Sequence, residues 1–211
     1  MNLAELRINY QKGELLESSV DKNPFEQFKK WFSEAKASQV PEPNAMHVST
    51  IGENGMPNGR IVLLKNVGEG FSFYTNYQSS KGESLNKHPQ ACITFFWAEL
   101  ERQIRIEGIT QKVDSATAEI YFKNRPRASQ IGAWVSEQSS RIESRDVLEL
   151  TFKELEAKYE GQEVPKPPHW GGFELIPSYF EFWQGRTSRL HDRVIYELSE
   201  GGIWEIGRLA P

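Results

Sequence analysis

Apolar residues near the N-terminus recur at helical spacing, at Phe25, Phe28, Phe32 and Ala35. This pattern places them on one face of an α-helix. The preceding Asn23–Pro24 pair supplies an N-cap and a proline at the first helical position, and Glu26 is expected to reach back to the cap. The sequence therefore predicts a helix over residues 24–37, which ends before two prolines at 41 and 43.

From residue 45 to residue 113 the pattern changes to short β-rich runs separated by turns. The predicted strands are 45–51, 60–65, 70–76, 91–97 and 102–113. Asn54–Gly55 is a hairpin signal between the first two. Strands at this spacing, without intervening helices, indicate an antiparallel sandwich or barrel rather than a doubly wound sheet.

Helical signals return after the first group of strands, over residues 115–124 and in a longer helix that a capping box at Ser140–Glu143 would open. The longer helix has a predicted buried stripe at Leu148, Phe152, Leu155 and Tyr159, and Gly161 would end it. Three more strands are predicted at 172–183, 189–198 and 203–209, with Gly201–Gly202 turning the last hairpin. We therefore expect one β domain over residues 1–211, with an N-terminal segment and helix at about 1–40 and a helical insertion at about 115–160.

Composition limits the function classes. The 211 residues are 38% hydrophobic and carry a net charge of −4, which favours a folded protein and disfavours a bulk nucleic-acid binder. Cys92 is the only cysteine, and there is no apolar run long enough to span a bilayer, so we expect a soluble cytoplasmic protein without disulfides. The four histidines show no metal-ligand spacing, and no metal is expected.

The most informative stretch is Arg189–Arg193, which follows an aromatic cluster at 182–183. On a strand, Arg189, His191 and Arg193 would share one face. Their mutual repulsion is unfavourable unless an anion lies among them, and a guanidinium suits a phosphate or carboxylate. The alternative is a solvated strand face with Asp192 as a local partner.

Three other patterns can be interpreted either as part of a ligand site or as ordinary structural features. Arg60 and Lys65 bracket four apolar residues and would face opposite sides of an ideal strand, unless the strand twists or bulges between them. Lys81 follows a strand end and begins a helix, which suits a phosphate cradle but also an ordinary N-cap with a surface lysine. Tyr121 and Arg125 would share a helix face, and the chain then turns so that the Ser129 hydroxyl could lie beside them. These three residues could bind a phosphate, or they could simply belong to an exposed helix end.

Six ordered motifs resemble those of the pyridoxamine 5'-phosphate oxidase family. They are Arg-Ile-Val-Leu-Leu-Lys at 60–65, Phe-Tyr-Thr-Asn at 73–76, Leu-Glu-Arg-Gln at 100–103, Ser-Gln-Ile-Gly-Ala-Trp at 129–134, Gln-Ser-Ser-Arg at 138–141 and Arg-Leu-His-Asp-Arg at 189–193. The ending Arg-Leu-Ala-Pro at 208–211 also matches, so the resemblance covers nearly the whole chain.

The resemblance implies a mainly β fold, an FMN-binding split β-barrel of antiparallel strands with flanking helices. It also implies a homodimer whose active sites lie at the subunit interface. The implied activity is the oxidation of pyridoxamine 5'-phosphate or pyridoxine 5'-phosphate to pyridoxal 5'-phosphate, in vitamin B6 biosynthesis and salvage. Molecular oxygen would reoxidise the flavin, and hydrogen peroxide would be released.

Carried over by position, the resemblance implies an FMN-binding set of Arg60, Ile61, Val62, Leu63, Lys65, Tyr74, Thr75, Lys81, Gln103, Gln138, Ser139, Trp183 and Arg193. The substrate phosphate would be held by Lys65, Tyr121, Arg125 and Ser129. The implied catalytic residues, Arg189 and His191, would lie against the pyridine ring, orienting it and managing protons. Arg7 and Tyr10 match a segment that can cover the substrate in this family.

One position departs from the family pattern. Ser80 stands where the family usually has a basic residue before the lysine, so this chain has one fewer cation near the expected FMN phosphate. Two alternative functions remain open at this point. One is a split-barrel flavin reductase that acts on another substrate, and the other is a non-catalytic protein that binds vitamin B6 phosphates.

Overall fold

The computed structural model describes residues 1, 3, 5, 6 and 8–211, so Arg7 lies outside the described residues. The strands are β1 (Ala45–Ile51), β2 (Pro57–Leu63), β3 (Asn66–Val67), β4 (Phe71–Asn76), β5 (Gln90–Trp97), β6 (Arg102–Lys112), β7 (Trp170–Gln184), β8 (Asp192–Leu198) and β9 (Trp204–Leu209). The helices are α1 (Pro24–Ala37), α2 (Ser80–Lys87), α3 (Ser115–Lys123), α4 (Arg127–Val135) and α5 (Arg145–Lys158).

A curled antiparallel sheet forms the body of the protein, in the order β2-β1-β5-β6-β7-β4-β3. The longest strand, β7, pairs with β6 along one edge, while β4 and then β8 pair with the other edge, and β9 extends β8. A bulge after Glu107 bends the β6–β7 ladder, and Gly108 is required there because a Cβ would lie 2.0 Å from the Ile176 carbonyl oxygen. The predicted antiparallel, mainly β architecture is confirmed.

Helix α1 seals the open side of this sheet and confirms the first sequence prediction. The Asn23 side chain accepts a hydrogen bond from the Phe25 amide at 2.9 Å. Glu26 does not reach back to the cap as predicted, because its carboxylate pairs with Lys29 at 2.8 Å one turn further on. The buried ring of Phe28 lies 4.9 Å from the centroid of Phe71 on β4.

The helical insertion has its own small apolar cluster, in which the helices pack against the start of β7. Phe122 and Ile131 contribute from α3 and α4, and the sequence did not predict α4. The predicted capping box was wrong: α5 begins at Arg145, and the Ser140 hydroxyl instead donates to the Glu137 carbonyl and closes a turn. Within the described residues, no helix has the length and apolar character needed to cross a membrane.

The strand predicted from residue 189 begins only at Asp192. Residues Thr187–Arg189 form a short 3-10 turn, in which Ser188 and Arg189 have φ values of 55° and 60°. These left-handed conformations are incompatible with an extended strand. The alternation that placed three cations on one strand face was therefore wrong for Arg189 and His191.

Replacement of Phe28 by alanine tests the role of α1 in the core. Phe28 is 1% exposed, so we expect Phe28→Ala to lower the free energy of unfolding by about 3–5 kcal/mol, through lost burial and the cavity left behind. Denaturant unfolding measures the change, and Leu150→Ala on α5 is the control because Leu150 is 60% exposed. Equal losses in both variants would contradict a core role for α1.

Candidate functional site

A cavity of about 1020 Å³ opens between β2, β4, the start of α2 and the helical insertion. Thirteen of the residues that the sequence assigned to ligands line it: Arg60, Ile61, Val62, Leu63, Lys65, Tyr74, Thr75, Lys81, Tyr121, Arg125, Ser129, Gln138 and Ser139. Ser80, which departs from the family pattern, lines it as well. The structure therefore brings together the residues that the sequence assigned to the phosphates of the two ligands.

The charge of this cavity is its most distinctive property. Arg60, Lys65, Lys81 and Arg125 line it, and among the described residues no aspartate or glutamate does. The whole chain carries a net charge of −4, so the concentration of cations here is local. Cations that converge without carboxylates favour an anionic ligand, and phosphate matches their donors well.

Lys81 is the most deeply buried of these cations, at 8% exposed. Its Nζ donates to Thr75 Oγ1 at 2.8 Å and to Gln138 Oε1 at 3.0 Å, both neutral acceptors. Burial and the positive charge of Arg60 lower its pKa from 10.5 to about 8. The alternative of an ordinary surface lysine is therefore wrong.

The backbone at the start of α2 completes this part of the cavity. Ser79 is the N-cap, and its hydroxyl accepts from the Gly82 amide at 3.3 Å. Gly82 permits close approach to the preceding turn, since a Cβ would lie 2.4 Å from the Tyr77 carbonyl oxygen. The positive end of the helix dipole therefore lies beside Lys81, which adds to the preference for an anion.

Arg60 and Lys65 line the same cavity despite their odd spacing. Strand β2 ends at Leu63, so the strict alternation that would separate them does not continue to Lys65. Arg60 Nη1 donates to Thr50 Oγ1 at 2.8 Å, and burial lowers the pKa of this arginine. The expectation that the two cations contact different faces holds only for an uninterrupted strand.

An aromatic stack forms the wall beside Arg125. The rings of Tyr74 and Tyr121 stack at 3.9 Å between centroids, and Trp170 continues the stack 5.3 Å from Tyr74. The Arg125 guanidinium lies 4.8 Å from the Trp170 centroid, and its buried Nη1 has no hydrogen-bond partner within the described structure. A buried donor without a partner is unusual in a native protein, so a ligand acceptor fits this position.

Trp170 is a cavity residue that sequence reasoning missed, although it was visible as an aromatic side chain at the end of the proline-rich connector.

A second group of predicted site residues lies elsewhere, at the C-terminal end of β7. Trp183 pairs with Gln103 on β6 and with Arg193 on β8, which places these three side chains in one row. The His191 ring lies 4.7 Å from the Trp183 ring, and Tyr10 lies 5.8 Å from Trp183. None of these five residues is among the described residues that line the cationic cavity.

Hydrogen bonds fix the orientation of two residues in this second group. The Arg186 amide donates to His191 Nδ1 at 3.0 Å, so that nitrogen carries no proton in this arrangement and Nε2 remains for proton exchange. Arg193 donates to both carboxylate oxygens of Glu181, at 2.8 and 3.0 Å. Arg189 lies on the exposed 3-10 turn that precedes His191.

The two groups occupy opposite ends of β7 in one chain. Tyr74 is paired with Gly172, whereas Gln103 is paired with Trp183. At about 3.3 Å per residue, these positions are roughly 35 Å apart along the strand. A single chain therefore does not bring His191 and Arg193 to the cavity that contains Lys81.

Two family models match the chain. One, described as pyridoxamine 5'-phosphate oxidase, matches residues 32–159, and the other, described as the pyridoxine 5'-phosphate oxidase C-terminal dimerisation region, matches residues 170–211. The chain is 54% identical over 210 residues to the pyridoxine/pyridoxamine 5'-phosphate oxidase of Nostoc punctiforme, which covers 99% of this chain and 98% of that protein.

Solved structures share the fold. The crystal structure of PhzG from Burkholderia lata 383, in complex with tetrahydrophenazine-1-carboxylic acid, matches with a TM-score of 0.88 and 27% identity over 95% of this chain and 100% of that one. A pyridoxamine 5'-phosphate oxidase-related, FMN binding protein from Nostoc punctiforme matches with a TM-score of 0.71 and 16% identity over 91% of this chain and 100% of that one. The predicted split-barrel fold is therefore confirmed.

The depressed pKa of Lys81 predicts a pH dependence of anion binding. Lys81 is protonated at pH 7 and largely neutral at pH 9, since its pKa is about 8. We expect inorganic phosphate to raise the melting temperature more at pH 7 than at pH 9. Lys81→Met serves as the control, since it removes the lysine and leaves the ionisation of phosphate unchanged. An identical pH dependence in both proteins would contradict the assignment.

In the absence of ligand, Lys81 makes the free energy of unfolding increase with pH, whereas the stabilisation by phosphate decreases with pH. The unfolded chain binds more protons between the folded pKa of about 8 and the ordinary value of 10.5, so this lysine makes the free energy of unfolding rise with pH in that interval.

Proposed function

Because the chain belongs to the pyridoxamine 5'-phosphate oxidase family, we propose that it is an FMN-dependent oxidase that forms pyridoxal 5'-phosphate from pyridoxamine 5'-phosphate or pyridoxine 5'-phosphate. Molecular oxygen is the proposed electron acceptor, and hydrogen peroxide is the second product. The observation that carries the proposal is the cavity whose described lining has four cations and no carboxylate. Two phosphate monoesters, one on the cofactor and one on the substrate, match that charge.

The FMN phosphate is proposed to bind where Arg60 and Lys81 converge near the start of α2. Neutral hydrogen-bonding groups line the same part of the cavity, from Thr75, Gln138 and Ser139. The dianion would relieve the repulsion between two cations that are both depressed in pKa. When bound, FMN supplies a hydride acceptor, and the protein's role is binding and orientation.

The substrate phosphate is proposed to bind on the other side of the cavity. Lys65, Tyr121, Arg125 and Ser129 provide two cations and two hydroxyls there. Nη1 of Arg125, which has no partner among the described residues, supports this assignment, since a phosphate oxygen is a strong acceptor for a guanidinium. A substrate that lacked a phosphate would leave this buried donor unsatisfied, which argues against a flavin reductase that acts on an unphosphorylated compound.

A second copy of the chain is proposed to supply the rest of each active site. Within one chain, Trp183, Arg189, His191 and Arg193 lie far along β7 from the cavity. The match to a C-terminal dimerisation region covers these residues and supports a homodimer. In a twofold dimer, each copy would contribute its cavity to one site and its β7 end to the other.

His191 and Arg189 are the proposed catalytic residues, and both act on the substrate ring. With Nδ1 occupied by the Arg186 amide, His191 would hold or exchange a proton through Nε2. Arg189 would orient the ring by its charge. The amine-bearing carbon of pyridoxamine 5'-phosphate would lose a hydride and its nitrogen a proton, and water would then hydrolyse the resulting imine, releasing ammonia and leaving the aldehyde. For the alcohol substrate, the carbon would lose a hydride and its oxygen a proton, which gives the aldehyde directly.

The proposal is tested by purifying the protein, measuring flavin absorbance, and adding pyridoxamine 5'-phosphate under air. We expect pyridoxal 5'-phosphate and peroxide in equal amounts. Arg189→Ala should reduce turnover by about a hundredfold and leave FMN bound, because positioning is lost and the cofactor contacts remain. Arg145→Ala on exposed α5 is the control. A fully FMN-loaded protein that forms neither product would refute the oxidase function, and a flavin-free Arg189→Ala protein would refute this division of roles.

Subunit complementation tests the shared site. Arg125→Ala and Arg189→Ala alter the two separated groups, and each variant alone should have little activity. Dimers formed from an equal mixture should regain about a quarter of wild-type activity, because half of the dimers are mixed and each of these has one intact site. Sites built from a single chain would instead leave the mixture as inactive as its components.

A further inference from the structure

Glu101 is a buried carboxylate for which the proposed function so far gives no role. It belongs to the Leu-Glu-Arg-Gln motif at 100–103, yet only Gln103 of that motif was assigned to a ligand. Glu101 is 5% exposed and occupies the turn between β5 and β6 with φ of 56°. Within the described residues, its side chain forms no ion pair, and its hydrogen-bond donors there are backbone amides.

The groups that bind this carboxylate come from the N-terminal segment, about 90 residues away along the chain. Glu101 Oε2 accepts from the Gln11 amide at 2.8 Å and from the Lys12 amide at 2.9 Å. Hydrogen bonds from amides to an ionised carboxylate are stronger than neutral ones. Because the donors are peptide groups, the contact fixes the path of the backbone rather than the position of a flexible side chain.

This path places Tyr10 against the second group of site residues. The Tyr10 ring lies 5.8 Å from the Trp183 ring and 5.9 Å from the His191 ring. It also lies directly on the end of β7, since a Cβ on Gly185 would be 2.8 Å from Tyr10. The same end is held by Glu101, whose backbone carbonyl accepts from the Gly185 amide at 2.7 Å.

Other contacts fasten the segment further along the chain. Asp192 accepts from the Leu15 amide at 3.0 Å, but it also pairs with Arg186 and Arg208. The amides of Gln11 and Lys12, the two residues that follow Tyr10, both donate to Glu101. Loss of the Glu101 carboxylate therefore affects Tyr10 first and leaves the Asp192 attachment in place.

We propose that Glu101 is a positioning residue that holds the N-terminal segment across the end of β7, so that Tyr10 packs against Trp183 and covers His191 on the substrate side of the active site. This proposal rests on the proposed function for its effect on substrate. The attachment itself depends only on the contacts within one chain.

Hydrogen exchange without substrate tests the attachment. In Glu101→Ala, the Gln11 and Lys12 amides should exchange about tenfold faster than in wild type, because both lose their acceptor. Glu101→Gln, which keeps an oxygen but not the charge, should be intermediate. Glu99→Gln, in the same connection, is the matched control and should leave both amides unchanged. Unchanged exchange in Glu101→Ala would overturn the proposal.

If Glu101→Ala does not fold, Glu101→Asn replaces it, since asparagine tolerates the left-handed backbone and is too short to reach the two amides.

A double-mutant cycle tests the role in the site. Glu101→Ala and Tyr10→Ala should each raise the KM for pyridoxamine 5'-phosphate by about tenfold and leave FMN affinity unchanged, and the double variant should be no worse than either. If the rise in KM of the double variant equalled the product of the two single rises, Glu101 would act independently of Tyr10, which would overturn the proposal. If the protein turned over no vitamin B6 phosphate, the proposed function would fail, whereas faster amide exchange would still support the attachment.

Discussion

Among the residues that the structure describes, the cations of the cavity are held without neutralising carboxylates, and the rest of the structure provides the conditions for this. Lys81 is buried among neutral acceptors and repelled by Arg60, which keeps its pKa near 8. The Arg125 guanidinium lies against Trp170, and one of its nitrogens has no hydrogen-bond partner in the part of the chain that the structure describes. Such an arrangement is unfavourable in the free protein, so a rigid surrounding structure must maintain it. An anion that binds only the folded state would then stabilise the protein.

At the opposite end of the sheet, the arginines are paired with carboxylates. Arg193 is paired with the buried Glu181, and Arg208 is paired with Glu17 and Asp192. These carboxylates fix the guanidinium groups and raise the pKa of both arginines. Under the proposed function, one set of cations attracts ligands, whereas the other set is oriented and already neutralised by carboxylates. The difference between the two ends suits a site assembled from two copies.

Strand β7 is the element that keeps the two ends apart. It pairs with β4 near its start and with β8 near its end, while β6 runs beside it throughout. The aromatic core that α1 covers makes this separation rigid, since Phe28 contacts rings on both β4 and β5. Small changes in packing would therefore alter the distance between the cavity and His191 only slightly.

The sequence by itself determined the features that depend on neighbours along the chain. Asn23 caps α1 and the Asn54–Gly55 pair turns the first hairpin, because caps and turns are set by a few adjacent residues. The motifs identified the family and most of the cavity residues. Only the tertiary structure decided that Lys81 is buried, that Arg60 and Lys65 meet in one cavity, and that Arg189 leaves the strand. It alone joined Glu101 to the N-terminal segment. Burial and the choice of partners depend on residues far apart in the sequence, and local spacing contains no information about these contacts.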